Sequence, residues 1–210
     1  MQANVTTAFQ PRKMPVQTRA TVTVGAIGGN YSGSAEPRSR TIGNHSRRRS
    51  DRRIRGNLYQ YYPNKQSLLF AVFEDHMDKV ARAVEAACAE ACHKPMSEMI
   101  RRVVEEFVDV KMQRADISVA LYKVAPDVGG AALVKQTGQR LRKAIETMLL
   151  TAPDLKLPPD RFAVDMMLSV MSGAMRSALE VGASRAMFRK AREHLVLLCQ
   201  SYMAAAIARG

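Results

Sequence analysis

The stretch GNLYQYYPNK, Gly56–Lys65, gathers residues suited to holding a polyanion. Tyrosines touch thymine methyl groups and donate hydroxyl hydrogen bonds to phosphates. Pro63 breaks the aromatic turn, and Asn64 is a good N-cap for a following helix that opens with Lys65. The amides at a helix N-terminus, with a lysine beside them, form a phosphate site. A recognition helix followed by such a clamp is what helix-turn-helix proteins use. The same tyrosines, Tyr59, Tyr61 and Tyr62, also suit the packing of a helix junction, and their spacing does not choose between the two uses.

Other side chains with chemical potential are scattered. Cys88 and Cys92 stand i, i+4 on one helix face, near His76 and His93 in sequence. Their spacing fits no established zinc pattern, and cysteine commonly serves as a small buried hydrophobe. No nucleophile–base–orienter set, phosphate-binding glycine loop or HExxH pattern is present, so the chain reads as a non-enzyme needing no cofactor or metal.

Charge gives the same direction as the opening stretch. The chain carries a net charge of +13 over 210 residues. Residues 1–56 hold 11 Lys or Arg and 2 acids, whereas residues 57–210 hold 21 basic and 17 acidic residues. This asymmetry points to a polyanion partner at the N-terminal end, and nucleic acid suits it best. An anionic membrane surface suits it less, because the basic part has no apolar face to insert. No apolar run is long enough to span a bilayer, and no secretory signal is visible. Three cysteines suit a reducing cytoplasm rather than a disulfide framework.

The elements that must position these residues are helices. Residues 1–17 read as a polar arm, and TRATVTVGAI (18–27) as a short element. Residues 28–56 have four apolar members in 29, eight arginines and no periodicity. Nothing there offsets a backbone entropy cost of roughly 1–2 kcal/mol per residue, so a disordered basic segment is expected. From Leu58 the pattern is helical. LYQYY makes one aromatic turn, and a helix of nearly thirty residues from Lys65 carries Leu69, Phe73, Met77, Val80, Val84 and Cys88 on one stripe.

Helices are also expected over 96–113, with Phe107, Val108 and Lys111 on the apolar stripe, and over 115–125 and 131–151. The last two, 159–181 and 184–208, are apolar over more than one stripe. They include Phe162, Met166, Met171 and Met175, then Leu195, Leu197, Leu198 and Met203. Helices this apolar are buried on more than one side, and a pair of them suits an oligomer interface or a central core. The Met-rich helix also suits a plastic pocket for a small apolar ligand, with Phe107, Tyr122, Met148 and Met171 as candidate lining. The fold expected is all-α: an N-terminal DNA-binding region, 1–65, and a helical ligand-binding and dimerisation domain, 66–210.

GNLYQYYPNKQSLLFAVFEDHM resembles the end of the DNA-binding domain of TetR-type (tetracycline-repressor-like) regulators, whose pattern is G-T-L-Y-x-H/Y-F-x-x-K-x-x-L. Gly56, Leu58, Tyr59, Tyr61, Tyr62, Lys65 and Leu68 fit it, while Asn57 replaces the usual Thr and Tyr62 the usual Phe. The resemblance implies a homodimeric repressor, a helix-turn-helix head and a ligand domain whose last two helices form a four-helix interface. It implies that Asn57 and Tyr59 face bases while Tyr61 and Lys65 hold phosphates, and that a small molecule releases the DNA.

Residues 28–56 depart from that family. They have about the length of the expected head helices but lack the apolar positions that hold three helices together. A basic arm, folding on DNA, or an out-of-frame stretch restored near codon 56 would each account for this, and the last fits the flanking family-like text best. The other functional readings are a nonspecific nucleic-acid binder and a helical dimerisation module with an impaired DNA-binding head.

Overall fold

The structure is a computed structural model that describes residues 62, 64–115, 118–119, 122, 125, 129–156 and 160–209. The expectations placed on residues 1–61, including LYQY, the basic segment and the helix-turn-helix remnant, lie outside the described residues. Among the described residues the fold is all-α, with no strand. Five helices are bounded: α1 (Lys65–Ala91), α2 (Met96–Gln113), α3 (Gly130–Leu149), α4 (Arg161–Glu180) and α5 (Arg185–Ile207). Residues 115, 118, 119 and 122 are also helical.

The chain divides into two compact units. The first contains the start of α1, up to Asp75, and residues 120–131. Asn64 caps α1 as its side chain dictates: the Ser67 amide donates to Asn64 Oδ1 at 2.8 Å, and the Asn64 amide donates to Ser67 Oγ at 3.2 Å. This reciprocal box satisfies two donors that the first turn would otherwise leave open. It also explains why Ser67, a polar residue on the helix, is fully buried. Gly130 begins α3 against the Phe73 ring, where a Cβ would collide with both the ring and the Ala125 carbonyl oxygen.

The second unit, His76–Val119 and Ala132–Gly210, holds the larger core. Here α2 packs on α5 and α4, and α5 packs on α4. Val80 and Val84 of α1, Ile100 and Val103 of α2, Ile145 and Met148 of α3 and Met167, Met171 and Met175 of α4 are all essentially inaccessible. Unbranched thioethers fill irregular space between helices, which suits the four-residue spacing of Met167, Met171 and Met175.

Two junctions fix the helices. At the end of α1, His93 takes a left-handed φ of 64°, and its amide donates to Thr151 Oγ1 at 2.9 Å. The Met96 amide, opening α2, donates to Asp154 Oδ1 at 2.9 Å. At the end of α4, Gly182 at φ 65° closes a Schellman turn: its amide donates to the Leu179 carbonyl, and the Ala183 amide to that of Ala178. Ser184 then caps α5 by accepting from the Met187 amide at 3.3 Å.

Candidate functional site

Three surfaces bear on function, and the first is the start of α1. Lys65 is the first helical residue and is exposed there, at the positive end of the helix dipole. Tyr62 is 5% exposed, and its phenol is pushed above its usual range by burial and by the charges of Asp75 and Glu74. Packing is thus what this tyrosine does. Asn57, Tyr59 and Tyr61, the other sequence-expected DNA contacts, lie outside the described residues.

The second surface is a cleft between α1 and α2, of about 280 Å³. His76, Lys79, Arg82 and Ala83 line it from α1; Glu106, Val110 and Gln113 line it from α2, with Arg114 just beyond. Two turns of each helix therefore face one space. His76 is buried, with its Nε2 at 3.2 Å from Ser118 Oγ. Ser118 Oγ donates to the Lys111 carbonyl at 3.3 Å. The hydroxyl of Ser118 thus bridges the imidazole and the α2 backbone, and this contact holds the orientation of the ring. The one carboxylate in the described lining, Glu106, is held by Arg102 at 3.2 Å.

Beside this cleft in sequence stands Lys111, only 5% exposed. Its Nζ lies 5.8 Å from the centroid of the Phe107 ring, one turn back on α2. Burial pushes the ammonium down to about 8, because the low-dielectric interior disfavours its charge. At the cleft's rim, Arg82 meets Asp78 Oδ2 at 2.8 Å. The same carboxylate receives Arg140 of α3 on Oδ1 at 2.9 Å, while Arg140 also forks onto Glu85 at 2.9 and 2.8 Å. The hydrogen bond from Arg140 chiefly holds the Asp78 carboxyl below its usual range.

The third surface is the outward side of α4 and α5. Phe162 is 64% exposed and Leu197 62%, with Met166, Met187 and Leu198 also open. On α5, Met187, Leu198 and Ala205 follow one helical row, with Leu197 and Ala204 alongside. The inward rows, Val164, Met171 and Met175 on α4 and Leu195, Cys199 and Met203 on α5, are buried.

The sequence-expected ligand residues fall differently. Phe107, Met148 and Met171 are buried in the second unit's core, and Tyr122 is half-buried in the first unit. None of the four lines the α1–α2 cleft, nor a second cleft of about 430 Å³ bounded by Glu105, Arg189, Arg192, Glu193 and Val196. That larger cleft balances two cations against two carboxylates, and Arg192 is engaged by Asp109 at 3.1 Å and Glu105 at 3.7 Å.

Burial pushes the Cys88 thiol up to about 12, helped by Cys92 and Glu85, and pushes the Cys199 thiol up to about 11. Both are thiols, not metal-ready thiolates, at neutral pH. Among the described residues no three His, Cys, Asp or Glu side chains converge to hold a metal ion, and no helix is long and apolar enough to cross a membrane.

Among the described residues the fold is an all-α bundle. Residues 95–203 match the family described as tetracyclin repressor-like, C-terminal domain. The chain belongs to this TetR-type family of regulators, a non-enzymatic family. A search of curated proteins gave no match.

Proposed function

We propose that the chain is a homodimeric transcriptional repressor that binds double-stranded DNA and is released by a small molecule. Residues 1–65 form its DNA-binding region, and residues 66–210 bind the ligand and dimerise. What supports this most is the outward apolar side of α4 and α5 in a chain whose residues 95–203 match the family's C-terminal domain. Exposed side chains as large as Phe162 and Leu197, on adjacent helices, ask for a second copy. Lys65, at the capped start of α1, contributes a phosphate contact together with Tyr61, while Asn57 and Tyr59 read bases. Ligand binding biases the long helix α1, and with it the spacing of the two DNA heads.

A second reading has its own observation. Residues 28–56 hold eight arginines and four apolar residues, a composition that attracts DNA without reading it. The chain would then be a dimerisation module with an impaired head. Selection of bound sequences from a random DNA pool, followed by titration at two salt concentrations, decides between them. Enrichment of a two-fold symmetric site supports the repressor. Binding without enrichment, lost steeply as salt rises, refutes it. Translation of codons 28–56 in the other two frames is the companion test: amphipathic helices in either frame would identify the segment as out of frame, and their absence from both would end that idea.

A further inference from the structure

We propose that His194 makes dimerisation across the outward side of α4 and α5 sensitive to pH, so that two copies part as their imidazoles gain protons. This rests on the dimer reading above, and the test separates the two.

Place comes first. His194 is exposed on α5, seven residues after exposed Met187 and four before exposed Leu198, so it stands in the same open row. Leu197, three residues on, is open alongside it. The row runs on through exposed Ser201 and Ala205. A side chain that changes its charge near neutrality therefore sits among Met187, Leu197 and Leu198, on the face that asks for a second copy.

Charge decides what can cover it. A two-fold interface sets a face against its own copy, so the face must complement itself. The open row of α4 is Phe162, Met166, Ser169 and Gly173, which carry no charge. The carboxylates of these two helices are directed elsewhere. Asp165 is met by Arg142 of α3 at 2.9 Å, and Glu180 by Arg176 of its own helix at 2.8 Å. Glu193 lines the cleft beside Glu105 of α2, together with Arg189 and Arg192. Arg161 and Arg185 stand at the starts of α4 and α5. Lys190, exposed four residues before His194, shares its side of the helix. With neutral imidazoles the face is apolar and suits its copy. Imidazolium adds a cation beside Lys190 in each copy, and an apolar seam disfavours that charged form. Separate chains then hold more protons than the dimer under mild acid, and association weakens as pH falls. A dimer contains two such imidazoles. For a pair of ordinary histidines, both neutral in the dimer, the dissociation constant rises about a hundredfold between ~pH 7.5 and ~pH 5.5.

The test follows full-length protein by analytical ultracentrifugation at ~pH 7.5 and ~pH 5.5 and equal ionic strength, with circular dichroism reporting helicity at both. His194→Leu and His194→Gln, at an exposed position, each remove the proton site without adding charge. Wild type is expected to be dimeric at the higher pH, with a dissociation constant that rises about a hundredfold at the lower. In both variants the rise should be less than about tenfold. His45, His76 and His93 are present in all three proteins, so the difference belongs to His194. No rise in wild type, or an equal rise in the variants, overturns the proposal and leaves the dimer standing. A wild type that is monomeric at the higher pH removes the dimer reading and the proposal with it.

Discussion

Lys111 offers a quantitative check on the core around the cleft. Replacement by Met keeps length and apolar packing while removing an ammonium that is 5% exposed. In the fold its pKa lies at about 8, against 10.5 unfolded, and burial is the cause. A lowered lysine pKa means that the unfolded chain binds more protons between those values. Stability therefore rises with pH from about 8 to about 10.5, and the full cost of the buried charge is present below that window. The span between 10.5 and about 8 corresponds to a total of ~3 kcal/mol. Integrated between ~pH 6 and ~pH 9.5, the recovered part is about 2 kcal/mol. For a chain of this size that is roughly 4–8 °C of melting temperature. Lys111→Met removes this pH dependence together with the contacts of the ammonium, the Phe107 ring among them. Cys88 and Cys199 titrate in the opposite sense at high pH, but they are common to both proteins and cancel in the difference. Thermal unfolding by circular dichroism, at equal protein and salt concentration, should show wild type gaining on the variant by about that amount as pH rises. A gap that stays constant across that range would refute the buried-ammonium account.

Three further outcomes are expected. Phe162→Glu or Leu197→Glu should convert a dimer to a monomer of native helicity, read by light scattering with size exclusion, because both side chains are exposed in the single chain; dimers in both variants would remove the α4–α5 face as the interface. Asn64→Ala should cost about 1 kcal/mol in denaturant unfolding through loss of the bond from the Ser67 amide; an unchanged midpoint would show that the cap is dispensable. Thiol labelling at mildly alkaline pH should modify half-buried Cys92 alone, with Cys88 and Cys199 reacting only on unfolding; rapid modification of all three would contradict the burial.

Much of the helical frame was legible because it is local. The Asn64 cap follows from one side chain, and the break before α2 from His93-Lys94-Pro95. The outward apolar residues of α4 and α5 were legible as an excess: a helix with Phe162, Met166 and Met171 has more apolar surface than one partner can cover. The cleft was not legible, because it needs the mutual register of α1 and α2. Lys111 shows why. It lies four residues after Phe107, on the apolar stripe, and a lysine there either reaches out to water or is buried according to what covers it. His76 lies three residues after Phe73 and four before Val80, so its place on the buried stripe was readable. Metal-ligand spacing alone leaves it an isolated histidine. The ties of His93 to Thr151 and of Met96 to Asp154 span 58 residues each and leave no local mark.

Asp78 connects the cleft to the rest of the second unit. One of its oxygens takes Arg82 at the rim, and the other takes Arg140 from α3. Asp78 thereby ties the exposed side of α1 to α3. The side chains of Asp78 and Arg140 are about a third exposed and that of Arg82 mostly so, which limits what this link is worth. Exposed ion pairs contribute ~0.2–1 kcal/mol, whereas allosteric couplings typically require ~1–3 kcal/mol. The shared carboxylate can bias α1 against α3 but cannot supply the whole coupling. In a repressor released by a ligand, as proposed, the larger share would come from the packing of α1 through Val80 and Val84, where a shift moves fully buried side chains and is resisted by a close-packed core.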